Sequence, residues 1–304
     1  MIDYTFRYQP GAPNPRPKPT SPEEAREALM RGNRVFSGWM CRCQGADAAH
    51  ADSWHVVECV GLESGFPAQP GEYPTQKPFA VVLGCSDARV PTEMLFGRGF
   101  NDLFVVRVAG NVLNDVVLGS LDFSATALND SVQVVVVLGH TNCGAVTGAV
   151  SAYLEPTKFW SKSNSPNLRL IYKGIFGAVR EADKMIREVW GSDAPSHPEY
   201  RGALIDAAVC MNAAHTALAL RQEYEESPEW GAEVLYGVYD VRTHQVCMPT
   251  RPFDPEMPDL VNLARAPSHP DELAALAREL ATILRPKDVG ENPNGAVLSS
   301  KALG

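Results

Sequence analysis

The sequence predicts an α/β fold with a mostly parallel central β-sheet, helices flanking both faces, and a hairpin strand at one edge. Three observations predict it. Two runs, Phe79–Gly84 and Val132–Gly139, are apolar almost without interruption, as strands buried on both faces must be. Strand-like runs alternate with helical stretches, which implies crossover connections and a parallel sheet. Each apolar run also ends in chemistry-bearing residues: Cys85-Ser86-Asp87-Ala88-Arg89 after the first, His140-Thr141-Asn142-Cys143-Gly144 after the second. Folds of this kind bind ligands beyond the carboxyl ends of their strands, where the strand order switches.

The elements follow in chain order. Residues 9–22 carry prolines at 10, 13, 15, 17, 19 and 22, which predicts an extended arm. Ser21-Pro22-Glu23-Glu24 starts a helix: Ser21 caps, Pro22 suits the first turn, and Glu24 completes a capping box. Ala25, Ala28, Leu29 and Phe36 give that helix an apolar face to about residue 36. Residues 37–76 are rich in Gly, Pro and Ala without a clear period, and read as a long excursion with short helical pieces. Strands are expected at 79–84, 103–108 and 132–138, with a helix over 116–130 between the last two. A helix should start near Gly144, break around Pro156 and Pro166, and resume over 167–190; a long Ala-rich helix follows at 201–225. Strand 233–241 turns through Arg242-Thr243 into 244–248, a hairpin at the sheet edge. The Pro-rich remainder holds one helix, about 270–284, capped by Ser268 or Asp271. This divides the chain into a proline-rich arm (1–20), a main domain (21–248) carrying an inserted segment (40–75), and a C-terminal extension (249–304).

Bulk properties narrow the function. A hydrophobic content of 45% over 304 residues supports a substantial core. A net charge of −9 argues against nucleic acid and anionic membrane as partners. No apolar stretch is expected to approach the length of a membrane span, and Met1–Arg7 has neither the basic nor the apolar region of a signal peptide. Seven cysteines is an odd number, and some look like metal ligands, so a reducing cytoplasm fits better than an oxidising compartment.

Alone, Cys85 reads as a small buried apolar residue and His140 as a satisfied core histidine. Together with Cys143 they change meaning, because two thiolates and one imidazole delivered from strand tips suit tetrahedral Zn²⁺. Only three such ligands stand out, which leaves a fourth position open to water, the feature that separates a catalytic zinc from a structural one; a purely structural zinc is the alternative, but no fourth Cys or His adjoins these three. A second group, Cys41, Cys43, His50, His55 and Cys59, matches no standard finger spacing and reads as a chance cluster, with a structural zinc in the inserted segment as the alternative. Cys210 and Cys247 read as buried helix and strand residues.

The Cys-x-Asp-x-Arg element at 85–89 and the His-x-x-Cys element at 140–143 resemble the β-class carbonic anhydrases. The likeness extends through 77–113 and 136–148, and in outline to 23–39 and 203–247. It implies a lyase with one zinc per chain, held by Cys85, His140 and Cys143, in which zinc-bound hydroxide converts CO₂ to bicarbonate. Asp87 and Arg89 would be the accompanying catalytic dyad: Arg89 keeps Asp87 ionised through a fork matched to a carboxylate, and Asp87 orients the nucleophile. Gln76 and Phe104 fall where open-type members place substrate-site residues, in the Gly-rich surroundings of Ala109, Gly110 and Gly144. The bicarbonate pocket of a regulated subtype uses Trp, Arg and Tyr; the matching positions here are Val82, Arg107 and Thr126, so two of the three are missing. The resemblance also implies a homodimer or higher homo-oligomer, with the N-terminal helix as a dimerisation element embracing the partner. Two rival readings share these residues: hydrolysis of COS or CS₂, and a scaffold protein with a vestigial zinc site.

Overall fold

A computed structural model describes residues 2–9, 17–44, 53–60, 71, 73–160, 165–225, 230–247 and 263–287. The chain opens with strand β1 (Ile2–Gln9), helix α1 (Pro22–Gln44) and strand β2 (Ser53–Val60). The first and last of these pair in parallel, so the three elements form a small βαβ unit. This corrects the reading of 37–76: the helix runs eight residues past Phe36, and a strand follows where short helices were expected. Residues 10–16, half of the expected extended segment 9–22, and His50 of the second cysteine–histidine group lie outside the described residues, as do the side chains of Cys43, His55 and Cys59. Cys41 is exposed.

The main sheet is built from β3 (Ala80–Gly84), β4 (Leu103–Arg107), β5 (Val134–His140), β6 (Glu233–Asp240), β7 (Gln245–Cys247) and β8 (Ala264–Arg265). Its order is β4-β3-β5-β6-β7; the first four strands are parallel, while β7 and β8 both pair antiparallel with β6. The chain leaves β3 toward one edge to make β4, then crosses back to β5 on the other side. The switch in strand order therefore falls between β3 and β5, where such folds open a crevice at the carboxyl ends.

The helices between and after these strands are α2 (Thr92–Leu95), α3 (Asp115–Ala127), α4 (Gly144–Leu154), α5 (Pro156–Phe159), α6 (Pro166–Trp190), α7 (Tyr200–Glu225) and α8 (Pro270–Ile283). Alternate strand residues serve two cores, which is why the strands read as unbroken apolar runs. Val81, Leu83, Val135 and Val137 join the core under α3, α4, α6, α7 and α8; Ala80, Val82, Val134, Val136 and Leu138 join the one under α1 and α2. Helix α7 is long and apolar enough to cross a membrane, which corrects the reading that no stretch reaches span length, but most of its apolar stretch is buried inside the protein. It is the central core helix, and Cys210 on it is fully buried.

Local chemistry sets the element ends. Ser21 Oγ accepts from Glu24 N–H at 3.3 Å, and the Glu24 carboxylate reaches back to Thr20 N–H at 2.8 Å, a capping box around the start of α1. Asn114 caps α3 by accepting from Val116 and Val117 N–H, both at 3.1 Å. The cap of α8 is His269, not Ser268 or Asp271: Pro270 occupies the first turn, and the His269 ring accepts from Asp271 N–H at 3.2 Å. The C-terminal helix is not a loose extension, since Trp190 Nε1 donates to Ala281 O at 2.8 Å inside the core.

Helix α1 is locked onto the body by Asn33, which is fully buried. Its amide donates to Leu95 O and His244 O, both at 3.1 Å, and accepts from Val246 N–H at 2.8 Å. One turn of the same helix crosses the Phe96 carbonyl so closely that a Cβ at Gly32 would lie 1.7 Å from that oxygen.

Candidate metal centre

Cys85 directly follows β3, His140 ends β5, and Cys143 caps α4. All three are buried, and one ligand atom from each lies within 4.8 Å of the others. The His140 ring shows which nitrogen serves a metal. Its Nδ1 lies 3.0 Å from Thr141 O, an acceptor, so the proton sits there. That leaves Nε2 with a lone pair; it is fully buried and has no hydrogen-bond partner among the described residues. An imidazole lone pair set against two thiols is the donor arrangement that would suit zinc. The ligand-bearing loop is braced from β6: Thr141 N–H donates to Tyr239 O at 2.9 Å, and Thr141 Oγ1 donates to Asp240 Oδ1 at 3.0 Å.

The two thiols titrate as a pair. Cys85 is pulled well below the ordinary thiol range, chiefly by the hydrogen bond from Cys143 and further by the N–H groups of Gly110 and Asp87. Cys143 is pushed up by the same contact and by burial. A thiol must lose its proton to ligate a metal, so the low-lying Cys85 is the readier of the two to act as a thiolate.

Asp87 and Arg89 form a fork: Nε donates to Oδ1 at 2.9 Å and Nη2 to Oδ2 at 2.7 Å, while the Arg89 backbone N–H adds a third bond at 2.9 Å. These bonds hold the Asp87 carboxyl well below the usual carboxylate range. Arg89 is itself tethered to Asn142 O at 3.1 Å, which ties the two ligand loops together. Asp87 Oδ2 then stands 3.8 Å from His140 Nε2, beside the metal cluster.

Arg107, expected only as the remnant of a bicarbonate pocket, has a second task in this chain. Its guanidinium donates to Cys85 O at 3.0 Å and to Asp87 O at 2.6 Å, so it fixes the backbone that carries ligand and dyad. Of the other two pocket positions, Val82 is fully buried, and Thr126 is exposed with its hydroxyl bonded to Asp122 O at 2.9 Å. Asn111 is buried next to the site with φ 44°, and its Nδ2 has no partner among the described residues.

Gly144, the first residue of α4, is exposed, and a Cβ there would meet nothing within 4 Å. Gln76 and Phe104 are not brought to the cluster. Phe104 pairs with Val81, four residues before Cys85, or about 13 Å along the strand. Its ring lies 6.2 Å from Phe123. Gln76 is exposed and precedes β3 by still more. Within one chain both sit toward the amino ends of the strands, opposite the ligands.

The family model described as carbonic anhydrase matches residues 80–246, more than half of the chain and the whole of this site. The chain belongs to the β-class carbonic anhydrase family. Carbonic anhydrase 2 of Mycobacterium tuberculosis is 40% identical over 138 residues, 45% of this chain and 57% of that protein. A carbonic anhydrase of Mycolicibacterium smegmatis is 52% identical over 80 residues, 26% of this chain and 38% of that one. The chain thus spans about half the length of the curated relatives it matches. Among solved structures, the β-carbonic anhydrase CcaA superposes with a TM-score of 0.45 at 20% identity, covering 77% of this chain and 99% of that one, a likeness too loose to add to the family match.

Proposed function

We propose that this protein catalyses the reversible hydration of CO₂ to bicarbonate and a proton, with one zinc ion per chain held by Cys85, His140 and Cys143. The single observation that carries the reading is the Asp87–Arg89 fork standing 3.8 Å from the orphaned His140 Nε2. A purely structural metal has no use for an oriented, ionised carboxylate at its open side. The family match and the carbonic anhydrase relatives support the same reaction.

Zinc held by Cys85, His140 and Cys143 would supply Lewis acidity, bringing the pKa of water toward neutrality. The rest of the work falls to the chain. Asp87, kept ionised by Arg89, accepts a hydrogen bond from the attacking water and so aims a lone pair of its oxygen at CO₂. Arg107 holds the Asp87 backbone, and the Thr141–Asp240 brace holds the His140 loop, so the carboxylate and the ligands keep their spacing. Because Asp87 stays ionised, the released proton passes to solvent buffer and not to its carboxylate. The engaged fork also favours an open site at neutral pH, with Asp87 turned to Arg89 instead of to the metal.

The working unit in this reading is a homodimer or a larger homo-oligomer. Gln76 and Phe104 would then contribute to substrate binding across the interface, in the site of a second copy, because their place at the far end of the strands keeps them from their own. The thiolate ligands call for a reducing compartment, and we place the protein in the cytoplasm, with neither nucleic acid nor membrane as partner.

The test is stopped-flow CO₂ hydration on metal-analysed protein, with COS and CS₂ run in parallel. Zinc-dependent CO₂ hydration is the expected result. Zinc-replete protein that hydrolyses COS or CS₂ but leaves CO₂ untouched would replace this reading with the hydrolase one, and no turnover of any of the three gases would leave the scaffold.

A further inference from the structure

We propose that Asn212, on the core helix α7, is a positioning residue that tunes the metal centre by holding a backbone N–H on the Cys85 sulfur. Asn212 is buried, and its amide donates to Gly110 O at 2.8 Å, across 102 residues of sequence. Gly110 N–H in turn donates to Cys85 Sγ at 3.3 Å. Gly110 is the middle of a short 3₁₀ turn, Ala109–Asn111, with φ 68°, a conformation that suits glycine. A Cβ there would also lie 2.9 Å from Ile175 Cδ1 and 3.0 Å from Ala145 Cβ. The turn is therefore shaped so that one peptide unit faces the sulfur with its N–H, while the neighbouring carbonyl is gripped from behind by Asn212.

The sequence around Asn212, Val209-Cys210-Met211-Asn212-Ala213-Ala214, is otherwise apolar core. Burying an amide there costs free energy unless it is bonded. The bond it makes is to the turn that touches the metal ligand, not to its own helix or to solvent. An N–H donor on a thiolate withdraws electron density from sulfur, so the metal receives less charge and remains a stronger Lewis acid. Two thiolates would otherwise blunt the acidity of a zinc ion. Groups that orient ligands in this way commonly matter by roughly 10–100-fold in metal affinity when removed.

The inference rests on Cys85 being a metal ligand, and the experiment separates the two ideas. Co²⁺-substituted wild-type protein should show near-ultraviolet sulfur-to-cobalt charge transfer; its absence would remove the ligand assignment itself and this inference with it. Given that band, Asn212→Leu should move it to longer wavelength as the sulfur loses its donor. A correlation spectrum of ¹¹³Cd-substituted wild-type protein should show coupling between cadmium and the Gly110 amide proton. That measurement needs no variant to fold. A charge-transfer band unchanged in folded Asn212→Leu, or cadmium bound with no coupling to Gly110, would overturn the role of Asn212 while leaving Cys85 a ligand.

Discussion

Arg107 donates to the backbone carbonyl of Asp87 at 2.6 Å, while Arg89 grips the carboxylate of the same residue. Asp87 is thus fixed at both ends by different arginines, one on β4 and one two residues downstream. Removing the backbone grip should let the Cys85–Arg89 loop drift without discharging the carboxylate. Arg107→Met is expected to keep its zinc and lose on the order of 10-fold to 10²-fold in kcat/KM, the scale of a misplaced catalytic group. Metal analysis beside stopped-flow hydration checks this, and a full-rate Arg107→Met protein would leave the backbone grip without a function.

The carboxylate grip should cost more. Asp87→Asn and Arg89→Ala are expected to retain zinc and lose about 10²- to 10⁴-fold in turnover, the range for orienting and acid–base groups. The pH dependence has a definite sign. Arg89 lowers the Asp87 pKa in the folded state, so the group stabilises the fold above the ordinary carboxylate pKa and loses that contribution only as pH falls through its lowered value. Asp87 therefore does not titrate between pH 6 and 9, and activity changes in that window arise elsewhere. In Arg89→Ala the carboxyl should return toward its ordinary range, and carbon-13 NMR of the Asp87 carboxyl would register the upward move. An unchanged titration would show that Arg89 is not what holds Asp87 ionised.

Cys143→Ala should lose metal and activity together, because it removes a third of the ligand set. Metal removal from the unaltered protein should also destabilise it, since His140 Nε2 is then buried without a partner. Zinc at a thousandfold excess over its Kd contributes about 4 kcal/mol to the folded state, and chains of this size shift by roughly 2–4 °C per kcal/mol. A chelator should accordingly lower Tm by about 10 °C. A Tm indifferent to chelation, or full zinc occupancy in Cys143→Ala, would contradict the three-ligand assignment.

The candidate metal centre is legible because two of its three residues sit at the tips of strands that declare themselves locally. Cys85 and His140 follow apolar runs, and Cys143 lies three residues on, so residue type and strand end point to the same place. The residues that support the centre carry no such mark. Asn212, Asn33 and Asp240 act across 102, 213 and 99 residues of sequence, and no local pattern distinguishes them from other polar side chains. Strands β1 and β2 illustrate a different failure. Ile2, Tyr4, Phe6 and Tyr8 alternate with polar residues, and Trp54–Val60 is rich in strand formers. Both signals are present in the sequence, but among the described residues the two strands pair with each other alone, separated by a proline-rich segment and a helix. Phe104 was placed correctly in its strand, yet the strand direction carries it away from the ligands of its own chain.

Asn33 offers a test of how α1 is held. Its amide makes three bonds to α2, the hairpin turn and β7, all from a fully buried position. Asn33→Ala leaves those backbone groups without partners, at about 1–3 kcal/mol for each unsatisfied group that water cannot reach. A loss of about 2–4 kcal/mol in urea unfolding is expected, with zinc content unchanged in the folded protein. A change within a few tenths of a kcal/mol would mean that α1 is held by its apolar face alone.

Gln76 and Phe104 allow the proposed dimer to be tested through its chemistry instead of its mass. Neither can act in its own chain, because Phe104 pairs with Val81 at the opposite end of the strand from Cys85, and Gln76 lies beyond it. If they serve the site of a second copy, two defective chains should repair each other. Cys143→Ala supplies a normal Gln76 but no working metal centre; Gln76→Ala supplies a working centre but no glutamine. In a mixed dimer, the site with intact ligands faces the chain with intact Gln76, and that site should run at the wild-type rate. Unfolding and refolding the two variants together should therefore yield more CO₂ hydration than the sum of the two refolded separately. Activity no greater than that sum, in a sample shown to contain mixed dimers, would assign Gln76 to the surface and remove it from the substrate site.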